Sequence, residues 1–275
     1  MLDINKSDDY LSKGNNTVVC NWKAYLGVQE SIDLASALSK WSRENEHSSD
    51  IIVSPSHASL YPVAKLLEGA GISLCAQNID IEKPGAYTGA LSADLLEEIR
   101  CKYVMLGHSE IRSGKSLGVP EDDSLISKKF AVCMRGKLNP ILCIGETMQE
   151  RSSGKTLEVL KRQTLVGMGK MPDKIPASKT IYLAYEPVWA ISSNKTKETA
   201  IPDQINKIVT KLLDAVEKES GTNILSRIKI LYGGSVDSRN IASYASQSEI
   251  DGVLIGGMST SISKITAMLK EIEAK

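Results

Sequence analysis

Three side chains in this 275-residue sequence stand where they could move protons. Glu186 closes the run Ile181-Tyr182-Leu183-Ala184-Tyr185-Glu186-Pro187-Val188-Trp189-Ala190. The run begins as an apolar stretch of strand length, and Pro187, with no N–H and a fixed φ, prevents a strand from continuing past Glu186. A carboxylate on a strand tip has the setting of a general base when a stiff exit and a polar segment (residues 192–199) follow it as a movable flap. Taken alone, it is equally a surface Glu before a loop. His108 ends another apolar run, Tyr103–Gly107, and precedes Ser109 and Glu110, which read as the first turn of a helix. The positive end of a helix favours the neutral imidazole, which can donate a hydrogen bond to a carbonyl oxygen without being a strong acid. Lys23, in Asn21-Trp22-Lys23, offers a fixed positive charge suited to a phosphate or a developing enolate oxygen. A lone loop Lys is usually only that.

Two further stretches suit an anion. Tyr232-Gly233-Gly234-Ser235 and Ile255-Gly256-Gly257-Met258-Ser259 each place paired glycines after an apolar run, where backbone N–H groups could approach a phosphate closely. In Cys143-Ile144-Gly145-Glu146 the glycine permits a tight turn, and Glu146 is expected to meet a basic partner. The histidines, His47, His57 and His108, show no metal-ligand spacing. The five cysteines form no Cys-x-x-Cys pair and read as buried free thiols.

These groups need elements to hold them. Apolar runs rich in β-branched residues recur at Thr17–Asn21, Ile51–Ser54, Ile72–Gln77, Tyr103–Gly107, Pro140–Ile144, Ile181–Glu186, Ile228–Tyr232 and Gly252–Ile255. Between them, segments such as Ser31–Trp41, Ala58–Gly69, Leu91–Ile99, Asp203–Ser220 and Ile262–Ile272 carry apolar residues at three-and-four spacing. Eight alternations with no long polar linker predict an α/β single domain, a (β/α)8 TIM barrel closed over residues 15–275. Such a barrel puts its chemistry at the carboxyl ends of its strands, where Lys23, His108 and Glu186 fall, and its phosphate sites after strands 7 and 8.

Composition narrows the class. The 33 basic and 33 acidic side chains cancel, which argues against a general binder of nucleic acid or anionic membrane. With one Phe and 42% hydrophobic residues the core must be mainly aliphatic. The start shows no apolar run of signal-peptide or membrane length. A cytoplasmic protein with a polar, flexible extension over residues 1–14 is expected.

The motifs Asn21-Trp22-Lys23, Gly85-Ala86-Tyr87-Thr88-Gly89, Leu106-Gly107-His108-Ser109-Glu110, Cys143-Ile144-Gly145-Glu146, Ala184–Ala190, Tyr232-Gly233-Gly234-Ser235-Val236 and Gly256-Gly257 together resemble triosephosphate isomerase, in order from Thr17 to the C-terminus. The resemblance implies an aldose–ketose isomerase of dihydroxyacetone phosphate and glyceraldehyde 3-phosphate, working in glycolysis and gluconeogenesis without cofactor or metal. By position, Glu186 would be the base and His108 the neutral electrophile. Lys23 would stabilise the enediolate, and Asn21 and Glu110 would orient the Lys and the substrate oxygens. Ser192, Ser235, Gly256 and Gly257 would hold the phosphate on their backbone. Pro187, Val188 and Trp189 would form the leading hinge of a lid that expels water. The family also implies a homodimer, here built on the loop around Tyr87 and Thr88.

The chain departs from the family in two places. Ser192-Ser193-Asn194 stands where the family has Gly-Thr-Gly, and Lys197-Glu198-Thr199 reads as an insertion at the trailing hinge. Ala90 and Ile111 replace a Glu and an Arg that meet across the family's dimer interface. Losing both charges together is far milder than stranding one. The altered lid leaves two alternatives: an isomerase of a four-carbon ketose phosphate, or a barrel that binds a sugar phosphate without turning it over.

Overall fold

The computed structural model describes residues 16–116, 118–172, 175–191, 199–220 and 224–274; the expected extension over residues 1–14 lies outside them. Eight parallel strands close on themselves in chain order: β1 (Thr17–Asn21), β2 (Asp50–Ser54), β3 (Ser73–Ala76), β4 (Tyr103–Leu106), β5 (Asn139–Ile144), β6 (Ile181–Tyr185), β7 (Ile228–Tyr232) and β8 (Gly252–Ile255), with β8 pairing back onto β1. The expected (β/α)8 barrel is the observed one. Three strands have the expected bounds and the others differ by one or two residues; β6 stops at Tyr185, one residue short of Glu186.

The strands are apolar throughout because both their faces are buried. Successive residues alternate between barrel interior and helix layer, so Val19, Ile52, Met105, Ile141, Cys143, Ala184, Leu231 and Leu254 fill the centre. Their neighbours, among them Val18, Cys20, Val53, Val104, Leu106, Leu142, Leu183 and Ile230, pack outward against the helices. Each such Val, Leu or Ile contributes roughly 1.5–3 kcal/mol by burial. The barrel is plugged rather than hollow, and ligands are confined to its rim.

The described helices are α1 (Val28–Glu44), α2 (Leu60–Leu67), α3 (Ala93–Glu98), α4 (Ser109–Arg112), α5 (Asp123–Arg135), α6 (Met148–Ser152), α7 (Thr156–Met168), α8 (Pro202–Ser220), α9 (Ile241–Ala245) and α10 (Ile262–Glu273). In α8, Pro202 pre-sets the first helical φ, Asp203 complements the positive end of the helix, and Ile205, Val209, Leu212 and Val216 bury one face. In α5, Asp122 caps the start by accepting the Leu125 N–H at 2.8 Å; its replacement by Ala should cost about 1 kcal/mol. Helix α7 fixes the loop after β5, because Gln163 accepts the Gly145 N–H at 2.7 Å and donates to the Gly145 carbonyl at 3.2 Å.

Candidate active site

Lys23 leaves β1 in a backbone conformation that residues with a Cβ rarely adopt, φ +48°. The Asn21 side-chain oxygen accepts the Lys23 N–H at 2.9 Å, so Asn21 acts on the lysine's main chain. The ammonium group reaches across the rim to Glu110 Oε1 at 3.2 Å. Asn21, Lys23 and Glu110 are thus brought together just past the ends of β1 and β4.

His108 is the N-cap of α4, and its Nδ1 accepts the Glu110 N–H at 3.2 Å. A ring nitrogen that accepts cannot carry the proton, so the neutral ring is protonated at Nε2. That nitrogen points to Glu186 Oε2, 3.4 Å away. The helix end therefore selects the tautomer.

Glu186 is almost wholly buried, at 2% exposure, and neither carboxylate oxygen has a hydrogen-bond partner among the described residues. Burial pushes its carboxyl above the ordinary range, while His108 and Lys23 pull it back. Two glycines make room for it. A Cβ on Gly145 would collide with the Glu186 carbonyl, and a Cβ on Gly233 would collide with Glu186 Cγ. Backbone bonds from Glu186 N–H to the Ile144 carbonyl and from Gly233 N–H to the Tyr185 carbonyl, both 2.8 Å, lock the three loops together. Glu186 thus presents a desolvated carboxylate to the His108 Nε2 beside it.

The segment expected as the leading hinge is fastened at several points. Val188–Ala190 forms a 3-10 turn, the Val188 N–H bonds the Glu146 carbonyl at 3.0 Å, and Trp189 Nε1 donates to Glu146 Oε1 at 2.8 Å. The Tyr185 hydroxyl donates to Glu146 Oε2 at 3.1 Å, and the Arg151 guanidinium lies 3.6 Å over the Trp189 ring. The hydrogen bonds to the Glu146 oxygens come from an indole and a phenol; its basic neighbour, Arg151, stacks on Trp189 and acts on the carboxylate through charge alone, and burial raises the Glu146 pKa.

The residues expected to hold a phosphate are only partly assembled. Ser235 N–H and Oγ both donate to the Ala190 carbonyl, at 3.0 and 2.8 Å, so both donors are engaged with the hinge. Gly256 lies under the Lys23 stem, where an added Cβ would sit 3.5 Å from Cε, and Gly257 begins a 3-10 turn beside Tyr25. Ser192, Ser193, Asn194, Lys197 and Glu198 fall outside the described residues. A cavity of about 490 Å³ at the carboxyl rim is lined by Asn21, Lys23, Met105, His108, Glu110 and Ile111. Glu186 faces a second cavity of about 230 Å³, with Gly107, Ser109 and Cys143. Sequence reasoning missed Gln77, whose carboxamide donates to the Lys23 carbonyl at 2.8 Å; its position right after β3 was the available signal.

The triosephosphate isomerase family profile matches residues 16–272. The chain belongs to that family. It is 38% identical over 250 residues to the triosephosphate isomerase of Carboxydothermus hydrogenoformans, covering 91% of this chain and 96% of that one. It is 34% identical over 254 residues to that of Magnetococcus marinus (92% and 97% covered) and 37% over 242 residues to that of Aquifex aeolicus (87% and 92%). In this member of the triosephosphate isomerase family Lys23 and His108 line one cavity at the carboxyl rim together with Ile111.

Proposed function

We propose that this chain interconverts dihydroxyacetone phosphate and D-glyceraldehyde 3-phosphate by proton transfer through an enediolate. It is an enzyme, an aldose–ketose isomerase acting on a phosphorylated sugar. The observation that carries the reading is the 3.4 Å approach of His108 Nε2 to Glu186 Oε2, beside a Lys23 ammonium at the same rim. Glu186 takes the proton from the carbon next to the carbonyl, and its desolvation makes the carboxylate a stronger base. His108 Nε2–H polarises the carbonyl and moves protons between the two oxygens. Lys23, held by Asn21 and Glu110, balances the charge that develops on the enediolate.

The backbone of Ser192, Ser235, Gly256 and Gly257 receives the phosphate. On this reading Ser235 exchanges the Ala190 carbonyl for phosphate oxygens as the lid closes, so substrate binding and hinge release are one event. The test is a coupled assay on glyceraldehyde 3-phosphate, run beside a four-carbon ketose phosphate, with Glu186→Gln as control. Fast triose turnover that disappears in the control supports reaction and base together. A folded wild-type protein that turns over only the four-carbon substrate, or neither, overturns it.

The working form we propose is a cytoplasmic homodimer. Tyr25, Tyr61, Ile81, Tyr87 and Val119, all exposed large apolar side chains, lie on or beside the rim loops after β1 to β4, the half of the barrel that carries Lys23 and His108. Clustered apolar exposure of this kind marks an interface. The Tyr87–Thr88 loop would be the insert and the cavity beside Ile111 its receiver. Sedimentation equilibrium checks the dimer, and fractionation against a cytosolic marker checks the compartment. Among the described residues no helix is long and apolar enough to cross a membrane.

A further inference from the structure

Lys23 and Arg100 are the non-glycine residues with positive φ among those described, and only Lys23 lies at the catalytic rim. Such a backbone persists where its surroundings over-determine it. Around Lys23 they do so from three sides. The preceding Trp22 N–H bonds the Ser54 carbonyl at 3.0 Å, and the Lys23 N–H bonds Asn21 Oδ1 at 2.9 Å. The third hold is on the carbonyl. Gln77 Nε2 donates to the Lys23 carbonyl at 2.8 Å and to the Ser54 carbonyl at 3.1 Å. Both neighbours are acceptors, so only the amide NH2 can serve both, and the orientation of the carboxamide is settled by its partners.

We infer that Gln77 is a positioning residue for the isomerisation: it holds Lys23 in its left-handed conformation and thereby aims the ammonium group into the catalytic cavity. The inference rests on the reading of Lys23 as the cation that meets the substrate. A left-handed residue turns its Cα–Cβ bond away from the direction an ordinary loop residue would give it. If the peptide after Lys23 relaxed to negative φ, the side chain would leave Glu110, now 3.2 Å from its Nζ, and leave the cavity that Asn21, Gln77 and His108 also line. Asn21 restrains the N–H side of Lys23 only. Gln77 restrains the carbonyl side, and it does so from a different strand, which ties the aim of Lys23 to the β2–β3 rim.

The experiment replaces Gln77 with Met, which matches its length and has no donor. Steady-state kcat and KM are measured for Gln77→Met, Lys23→Met and the double variant, with circular dichroism to verify folding. Displacement of an aligned group by about 1 Å costs up to 100-fold, so kcat/KM should fall roughly 10- to 100-fold in Gln77→Met. That fall should vanish in the Lys23→Met background, where there is no ammonium left to aim. A brace that merely joined β2 to β3 would lower kcat/KM by the same factor in both backgrounds, and that result overturns the inference. So does a Gln77→Met enzyme with undiminished kcat/KM. Undiminished kcat/KM in Lys23→Met is a separate failure, since it removes Lys23 from the chemistry and the premise with it. Should Gln77→Met not fold, Gln77→Asn keeps the carboxamide, retracts it by one methylene and takes the same test.

Discussion

Gly233→Ala is the sharpest probe of how Glu186 is seated. The added Cβ would fall on Glu186 Cγ, well inside contact distance, and 3.2–3.3 Å from the carboxyl carbon and Oε1. Gly233 cannot retreat, because its N–H is bonded to the Tyr185 carbonyl at 2.8 Å in a loop shared with β6. The side chain must therefore yield, by about 1 Å, to restore an ordinary carbon–carbon separation. A shift of that size in a reacting carboxylate costs about 100-fold, or about 2.7 kcal/mol of barrier. Overpacking should cost the fold a further 1–3 kcal/mol or so. The coupled triose phosphate assay should show kcat reduced about 100-fold with little change in KM, since Gly233 N–H is already engaged and offers the substrate nothing. Shortening the base in the same chain, Glu186→Asp/Gly233→Ala, relieves the overlap, so the two changes together should cost less than their product. Wild-type turnover in a folded Gly233→Ala protein would refute the placement of the base. Strict multiplicativity would refute the steric account.

Three further outcomes are expected. Burial raises the Glu186 carboxyl in the fold, so its ionised form works against folding at neutral pH: the stability it contributes is present below its unfolded pKa and lost as pH rises through the folded one. Glu186→Gln should accordingly melt higher than wild type at pH 7–8, with the gap closing below about pH 4, and wild-type kcat/KM should fall on the acid side through the raised value; a Gln variant that melts lower at pH 8 would count against this. Glu146→Gln leaves a single oxygen to accept from both Trp189 Nε1–H and the Tyr185 hydroxyl, which should loosen the Val188–Ala190 turn and lower kcat in the same coupled assay; an unchanged kcat would count against it. Thr88→Arg should shift sedimentation equilibrium toward monomer and lower activity; a monomeric wild type of full activity would rule out the proposed dimer.

The barrel was legible because buried parallel strands announce themselves as short β-branched runs, and eight of them leave few other architectures. The helices were read less evenly. Those named from the sequence, such as Asp203–Ser220 (observed as Pro202–Ser220), carry a clean apolar stripe. Helices α5 and α7 were not singled out, and their buried faces explain why. Asp123 and Lys129 on α5, and Gln163, Thr164 and Gly167 on α7, occupy positions that an apolar periodicity count scores as polar or empty. Asp123, Lys129 and Gln163 each have a specific partner instead. Lys129 pairs with Glu121 at 2.5 Å and donates to Asn78 at 3.0 Å, Asp123 is gripped by Arg112 and Arg162, and Gln163 pins Gly145. Buried polar groups are tolerated when paired, and pairing across the fold leaves no local trace in the sequence.

The same limit divides the site. Residue type and strand-end position located Lys23, His108 and Glu186, since both are local properties. What holds them is not local: Glu146 was assigned a basic partner because charge is the only complementarity a sequence displays, whereas its hydrogen-bond partners are N–H and O–H donors from aromatic residues 39 and 43 positions away. The glycine pairs show this most clearly. As sequence, Gly233-Gly234 and Gly256-Gly257 carried one meaning, close approach of backbone to an anion. In the folded chain Gly233 is bare so that Glu186 can pack against it, whereas a Cβ on Gly256 would meet the Lys23 stem only at ordinary contact distance, 3.5 Å. The absence of a side chain at Gly233 thus serves the expected base as directly as it would serve a phosphate. A substitution at Gly233 should therefore disturb proton transfer even where phosphate affinity is kept.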